Sequence, residues 1–372
     1  MDLALNDEQN AIQELFHEFA ADRIRPLAAD LDENPRFAKE LFGQAGELGF
    51  YGMRYAEPDG TGMDMLSYLL AVEELAWGSL GVAATCTMQS LMGTHFVHRH
   101  SVGEVRERLL GAALRGEVIG TICMTEPDAG SDLFSMTTSA VENDGQWLIS
   151  GQKTWITAAP IADMFTVFAR TGDKELSIFL VERGTEGLTV GRPIEKMGVK
   201  CSLTSELSFD QTPATCMLGH QGAGMESLRE VLADIRLMTA ALALGVGRAA
   251  YEDSLAYAQE RVQFGKPIHK FQSIQNHLAE MRVQLEAARR LIYWAAWRSD
   301  QGMPSADESS MAKLFASEAA VDVCDRATRI MASYGYASEY PTERYLRDAR
   351  FTLVGGGTSE ILRMNIARSL TR

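Results

Sequence analysis

Five cysteines in 372 residues, Cys86, Cys123, Cys201, Cys216 and Cys324, are few, odd in number and far apart, with no C-x-x-C pair. That argues against a disulfide-built scaffold or a cysteine zinc site and fits a reducing compartment. Basic residues are also short: 35 Lys and Arg stand against 50 Asp and Glu, a formal net charge of −15. A surface that acidic repels phosphate backbones and anionic lipid, which speaks against nucleic-acid and membrane partners; an anionic ligand needs a local cation. No apolar run nears the ~20 residues of a membrane span, the longest lying around Met238–Val246. The opening stretch Met1–Asn10 lacks the basic and apolar regions of a secretory signal. Together these absences predict a cytoplasmic protein.

What is present is a folding composition, with 46% hydrophobic, 23% charged and 8% aromatic residues. At roughly 150 residues per domain the length gives two or three domains. Residues 1–120 read as helical. Asn6 and Gln9 form a capping box before Ile12, Leu15, Phe16 and Phe19 at helical spacing, Pro26 predicts a kink or stop, and Ser101 with Glu104 reads as a second capping box. Residues 121–224 read as strands. Asn143-Asp-Gly145 signals a hairpin, and Met164–Ala169, Leu176–Val181, Leu188–Val190 and Glu206–Phe209 are short β-prone runs of a small antiparallel domain. Over 225–372 the helical period returns, and Phe271, Ile274, Leu278, Met281 and Leu285 make a seam at 3,4 spacing that suits a bundle core or packing between subunits.

The stretch Thr125-Glu-Pro-Asp-Ala-Gly-Ser-Asp132, where helix gives way to strand, is either an ordinary loop or a turn that aims backbone N–H groups and two hydroxyls at a ligand. His95, His98 and His100 lack the neighbours of a metal set, and Gly245-Val-Gly247 sits in a helical pattern without a preceding strand, so no metal or Rossmann site is expected. Read with Lys153-Thr-Trp-Ile-Thr157, Arg261-Val-Gln-Phe-Gly-Lys-Pro-Ile268, Glu339–Asp348 and Gly357-Thr-Ser-Glu-Ile361, the chain resembles the acyl-CoA dehydrogenase family over essentially its whole length.

That resemblance implies an α+β chain of an N-terminal helical domain, a central antiparallel β domain and a C-terminal four-helix bundle. It also implies FAD and oxidation at Cα–Cβ of an acyl thioester. It implies that Met124, Thr125, Gly130, Ser131, Trp155, Ile156 and Thr157 meet the flavin, with Trp155 against the ring and Thr157 at N5. Arg261, Gln263, Phe264, Ile268, Phe271 and Gln272 would reach the ADP half of an FAD held by a neighbouring subunit, joined by Arg329, Ser333, Thr358 and Glu360. Ser131, Ser202 and Arg236 would bind substrate, either acyl-CoA or a carrier-protein thioester. The assembly would be a homotetramer, a dimer of dimers, passing electrons to an electron-transfer flavoprotein.

The chain departs from the family where the α-proton is taken. Most members place a glutamate just before Gly-Thr-Ser of the last motif, and here that residue is Gly356; the alternative base position, before Arg236, is Ile235. Both replacements occur together in crotonobetainyl-CoA reductase-like members. A positioned base contributes about 10²–10⁴ in rate, so an enoyl-CoA reductase, a β-eliminating enzyme and an inactive flavin-binding protein stand as alternatives. Asp234 is a candidate substitute base or a solvent-facing carboxylate; Gln89 and His95 are further candidates.

Overall fold

The computed structural model describes residues 4–371, so Met1–Leu3 of the opening stretch and Arg372 lie outside it. The N-terminal part is α1 (Asp7–Phe19), α2 (Ala28–Glu33), α3 (Lys39–Glu47), α4 (Met65–Gly78), α5 (Leu80–Thr87), α6 (His95–His100) and α7 (Gly103–Leu114). The capping box at Asn6 forms with both of its hydrogen bonds. Pro26 bends the chain without ending it: a wide turn at Ala20–Ile24 leads into a 3₁₀ turn, Arg25–Leu27, whose early position tolerates a missing N–H. The second capping box is absent. Ser101 donates its hydroxyl back to the Val97 carbonyl at 2.5 Å, and Val102 stands at the N-cap of α7 with no side-chain bond.

The middle part is β1 (Gly120–Cys123), β2 (Ser139–Asn143), β3 (Gln146–Thr157), β4 (Met164–Gly172), β5 (Glu175–Glu182), β6 (Leu188–Val190), β7 (Thr204–Pro213) and β8 (Cys216–Met217). They form one sheet in the order β6-β7-β3-β2-β4-β5-β8, with β1 beside β4. Asp144 and Gly145, at φ 50° and 84°, close the β2–β3 hairpin in the left-handed geometry that suits the twist of paired strands. Most pairings are antiparallel, but β1 runs parallel to β4 and β2 touches it in parallel at Ser139–Arg170. All four residues of β1 are buried, which erases the alternation by which a strand is read.

The C-terminal part is α8 (Gly224–Glu260), the short hairpin β9 (Val262–Gln263) and β10 (Lys266–Pro267), α9 (Gln272–Asp300), α10 (Ala306–Met331), α11 (Pro341–Ala349) and α12 (Ser359–Ser369). Gly245 lies inside α8 where it crosses α4: a Cβ there would stand 2.3 Å from the Glu73 carbonyl oxygen. Beside that crossing Arg248 reaches Glu73 at 2.9 Å and Glu74, and Arg289 reaches Glu73 at 2.8 Å. The α9 seam is split. Met281 and Leu285 are buried in the bundle, whereas Ile274 and Leu278, like Phe271 just before the helix, are half-buried. Among the described residues no helix is long and apolar enough to cross a membrane, and no group of three His, Cys, Asp or Glu could hold a metal.

Candidate active site

The Thr125–Asp132 loop is fastened by one buried ion pair. Glu126 accepts from the Thr137 amide at 2.6 Å, the Thr137 hydroxyl at 2.9 Å, the Thr138 amide at 2.9 Å and Lys153 Nζ at 2.9 Å. Lys153, fully buried on β3, also donates to the Met124 carbonyl at 3.0 Å. Burial alone would raise the Glu126 carboxyl, but these donors and the ammonium bring it down to about 2. Burial also presses the Lys153 ammonium below its usual range, against the pull of Glu126. The Thr154 amide donates to the Thr125 carbonyl at 2.9 Å, so loop and strand are stitched side by side. Met124 and Thr125 are half-buried; Gly130 and Ser131 are exposed.

Further along β3 the register against β7 slips between Lys153 and Ile156. Trp155 occupies that bulge at φ +58° and is 58% exposed. A large side chain in the left-handed region stores roughly 1–3 kcal/mol of strain, and bulges re-aim side chains near sites. Here the result is an indole face turned out of the sheet. Ile156 is buried, and half-buried Thr157 pairs with Thr204 while its carbonyl accepts from the Thr121 hydroxyl at 2.6 Å. Ser202 is buried, its carbonyl held by Lys196 Nζ at 2.9 Å.

A second group gathers on the helical side. Arg261 is exposed, forms no ion pair among the described residues, and lies 5.6 Å from the Tyr334 ring centre. Phe264, at φ +50° and 92% exposed, stands edge-on to Phe271 at 6.0 Å between ring centres. Gln263 and Gln272 are exposed and Ile268 is buried. Arg329 is not a free cation: Asp325 holds it at 2.6 Å. Ser333 is exposed after Ala332 at φ +55°. Thr358 caps α12 by accepting from the Ile361 amide at 3.3 Å, and Glu360 is exposed in its first turn.

The expected base position falls where the 353–358 loop meets α8. Gly356 has φ +67°, and a Cβ on it would stand 2.6 Å from Thr239 Oγ1 and 3.6 Å from the Ile235 carbonyl oxygen. Beside it, Lys313 Nζ of α10 donates to the Gly357 carbonyl at 2.6 Å, and Arg236 Nη1 donates to Ser310 Oγ at 3.1 Å. Asp234 is not solvent-facing. It is largely buried 3.8 Å from Arg54, and burial raises its carboxyl to about 6. Its charged neighbour is Arg54, which also lies 3.9 Å from Asp300. Gln89 is fully used as a strut: its amide donates to the Ala113 and Val118 carbonyls and accepts from the Gly120 amide, each at 2.8 Å. His95 is held neutral, burial lowering it to about 4. Lys153 stood in a sequence motif without being marked, and Lys313 and Thr239 stood in none, because only burial shows what they hold.

Models of the acyl-CoA dehydrogenase N-terminal, middle and C-terminal domains match residues 6–117, 121–212 and 222–371. The chain belongs to the acyl-CoA dehydrogenase family. It is 54% identical over 376 residues to benzylmalonyl-CoA dehydrogenase of Aromatoleum aromaticum, covering 100% of each chain. The solved butyryl-CoA dehydrogenase of Megasphaera elsdenii superposes with a TM-score of 0.96 at 37% identity, again covering 100% of each. PigA, solved with FAD and proline, superposes at 0.96 with 30% identity, covering 100% of this chain and 99% of PigA. As an acyl-CoA dehydrogenase the protein is an oxidoreductase of acyl thioesters acting on CH–CH groups, with FAD as cofactor. Its residues fit that cofactor: an outward indole face suits a flat ring, and an exposed guanidinium without a carboxylate suits a pyrophosphate.

Proposed function

We propose that the protein oxidises the Cα–Cβ bond of an arylalkyl-malonyl thioester of coenzyme A. The observation that carries the reading is the pair Gly355-Gly356 in the loop beside α8, in a chain 54% identical to a benzylmalonyl-CoA dehydrogenase. Neither residue carries a side chain, and Gly356 puts no carboxylate where the family keeps its base.

In this reading Thr125 and Thr157 bond the flavin ring and Trp155 packs on it, while Met124, Gly130 and Ile156 complete the cradle. Ser131, Ser202 and Arg236 attend the thioester. Arg261, Gln263, Phe264, Ile268, Phe271 and Gln272, with Arg329, Ser333, Thr358 and Glu360, serve the ADP half of an FAD in a neighbouring subunit. The half-buried residues 271, 274 and 278 supply a face for such a subunit, within a homotetramer of three-part chains divided at about 120 and 224. FAD supplies the two-electron acceptor; the chain's own groups orient the thioester and exclude water. An electron-transfer flavoprotein reoxidises the enzyme in the cytoplasm. Anaerobic mixing of the yellow holoenzyme with 2-benzylmalonyl-CoA should bleach the flavin band; a band unchanged by every arylalkyl thioester tried defeats the proposal.

A further inference from the structure

Between β6 and β7 the loop 196–202 meets α11, and one of its residues is held in a conformation it would not adopt alone. Val199 has φ +45°, a left-handed backbone that is an outlier for a β-branched side chain and persists only where the surroundings over-determine it. Its amide donates to Asp348 Oδ1 at 2.5 Å. Asp348 is buried and feels Arg344 and Arg347 only through their fields, so burial raises its carboxyl to about 6 against the pull of the Val199 amide. Withdrawing a carboxylate from water without a paired cation costs free energy, and the side-chain hydrogen bond of this one goes to the loop. One position earlier on α11, Arg347 donates to the Met197 carbonyl at 3.0 Å and pairs with Asp32 of α2 at 2.6 Å, and Asp32 lies 3.6 Å from Lys200. Gly198 lets the two backbones meet: a Cβ on it would stand 2.6 Å from the Arg347 carbonyl oxygen. This gripped stretch leads into Ser202. The Ser202 amide donates to the Val199 carbonyl at 3.0 Å, and its carbonyl accepts from Lys196 Nζ at 2.9 Å and Thr204 Oγ1 at 3.0 Å. Its backbone is fully engaged, while its hydroxyl bonds to nothing among the described residues.

Resting on the reading above that Ser202 attends the thioester, we infer that Arg347 and Asp348 are positioning residues for acyl-CoA binding: from α11 they hold the turn at Val199 so that the Ser202 hydroxyl is already aimed when the thioester arrives. They act through the loop rather than by touching the ligand. Without the Asp348 acceptor the Val199 peptide is free to turn, and the Ser202 amide, bonded to the Val199 carbonyl, turns with it. A hydroxyl fixed in advance has little freedom left to lose on binding, which is where preorganisation gains affinity.

The test titrates the FAD-loaded holoenzyme with acetyl-CoA by calorimetry, a thioester with no Cβ and therefore no hydride to give. Ser202→Ala should weaken its binding about fivefold, the range of one hydrogen bond. Asp348→Ala should weaken it by a similar factor, whereas Asp348→Asn, which keeps an oxygen for the Val199 amide, should stay within about twofold of wild type. Asp348→Ala added to Ser202→Ala should weaken binding no more than about a further twofold, because a hydroxyl already absent cannot be misaimed. A merely structural loss would leave the two effects additive. Arg347→Gln, at a side chain 20% exposed, carries the same cycle if Asp348→Ala does not fold. Wild-type affinity in the folded α11 variants, effects that add to Ser202→Ala, or an Asp348→Asn variant as weak as Asp348→Ala overturns the inference and leaves the role of Ser202 standing. A Ser202→Ala variant that binds as tightly as wild type overturns the Ser202 reading itself, and the inference with it.

Discussion

Restoring a carboxylate at 356 should be harder than the exchange of one residue suggests. Gly356 sits at φ +67°, and an added Cβ falls 2.6 Å from Thr239 Oγ1 and 3.3 Å from Thr239 Cβ. The hydroxyl cannot swing aside freely, because it donates to the Ile235 carbonyl at 2.8 Å. The left-handed backbone costs a side chain roughly 1–2 kcal/mol, and forcing atoms into a packed contact typically about 1–3 kcal/mol, so Gly356→Glu should destabilise by about 2–5 kcal/mol. Removing the obstructing oxygen with Thr239→Ala should return about 1–3 kcal/mol of that, a coupling visible in a double-mutant cycle by denaturant unfolding. The pair Gly356→Glu with Thr239→Ala should also gain bleaching by 3-phenylpropanoyl-CoA, by about 10²-fold or more over Thr239→Ala alone. A single Gly356→Glu variant as stable as wild type, or strictly additive effects, would refute the steric reasoning.

Lys153→Met strands the buried Glu126 carboxylate and should cost about 3–5 kcal/mol; unfolding within 1 kcal/mol of wild type would show the pair to be incidental. Glu126 ionises at about 2 in the fold against 4.5 as the reference value, so its support is complete above pH 4.5 and lost as the pH falls from 4.5 towards 2. Glu126→Gln should flatten that part of the acid-unfolding profile. Trp155→Ala, at an exposed site, should change stability by less than about 1 kcal/mol while weakening FAD retention at least about tenfold, as followed by flavin loss on gel filtration; retained FAD would remove Trp155 from the cradle. Gly245→Ala places a methyl 2.3 Å from the Glu73 carbonyl oxygen and should destabilise by about 1–3 kcal/mol, checked by thermal unfolding.

Features dictated by neighbouring residues were legible in the sequence. Asn143-Asp-Gly145 gave its hairpin, and the capping box at Asn6 formed as read. Ser101 misled because a serine hydroxyl can bond backward to the i−4 carbonyl as readily as forward to an N–H. β1 was missed because a strand buried on every residue has no period. The split of the long seam depends on what packs against each half of α9, which spacing alone does not state. At the site the motif residues were visible by type, but their partners were not: that Lys153 grips Glu126, that Asp234 faces Arg54, and that Gln89 is a strut all depend on contacts across 24 to 180 positions of chain.

The stitch between the Thr125–Asp132 loop and β3 has a practical side. Because Lys153 and Thr154 anchor the loop from the same strand that swings Trp155 outward, the two contacts proposed for the ring are registered to one another like teeth cut on a single gear. An engineer who transplants the loop alone will carry across its letters and lose its alignment; the portable unit runs from the loop through β2 and β3 as far as Thr157.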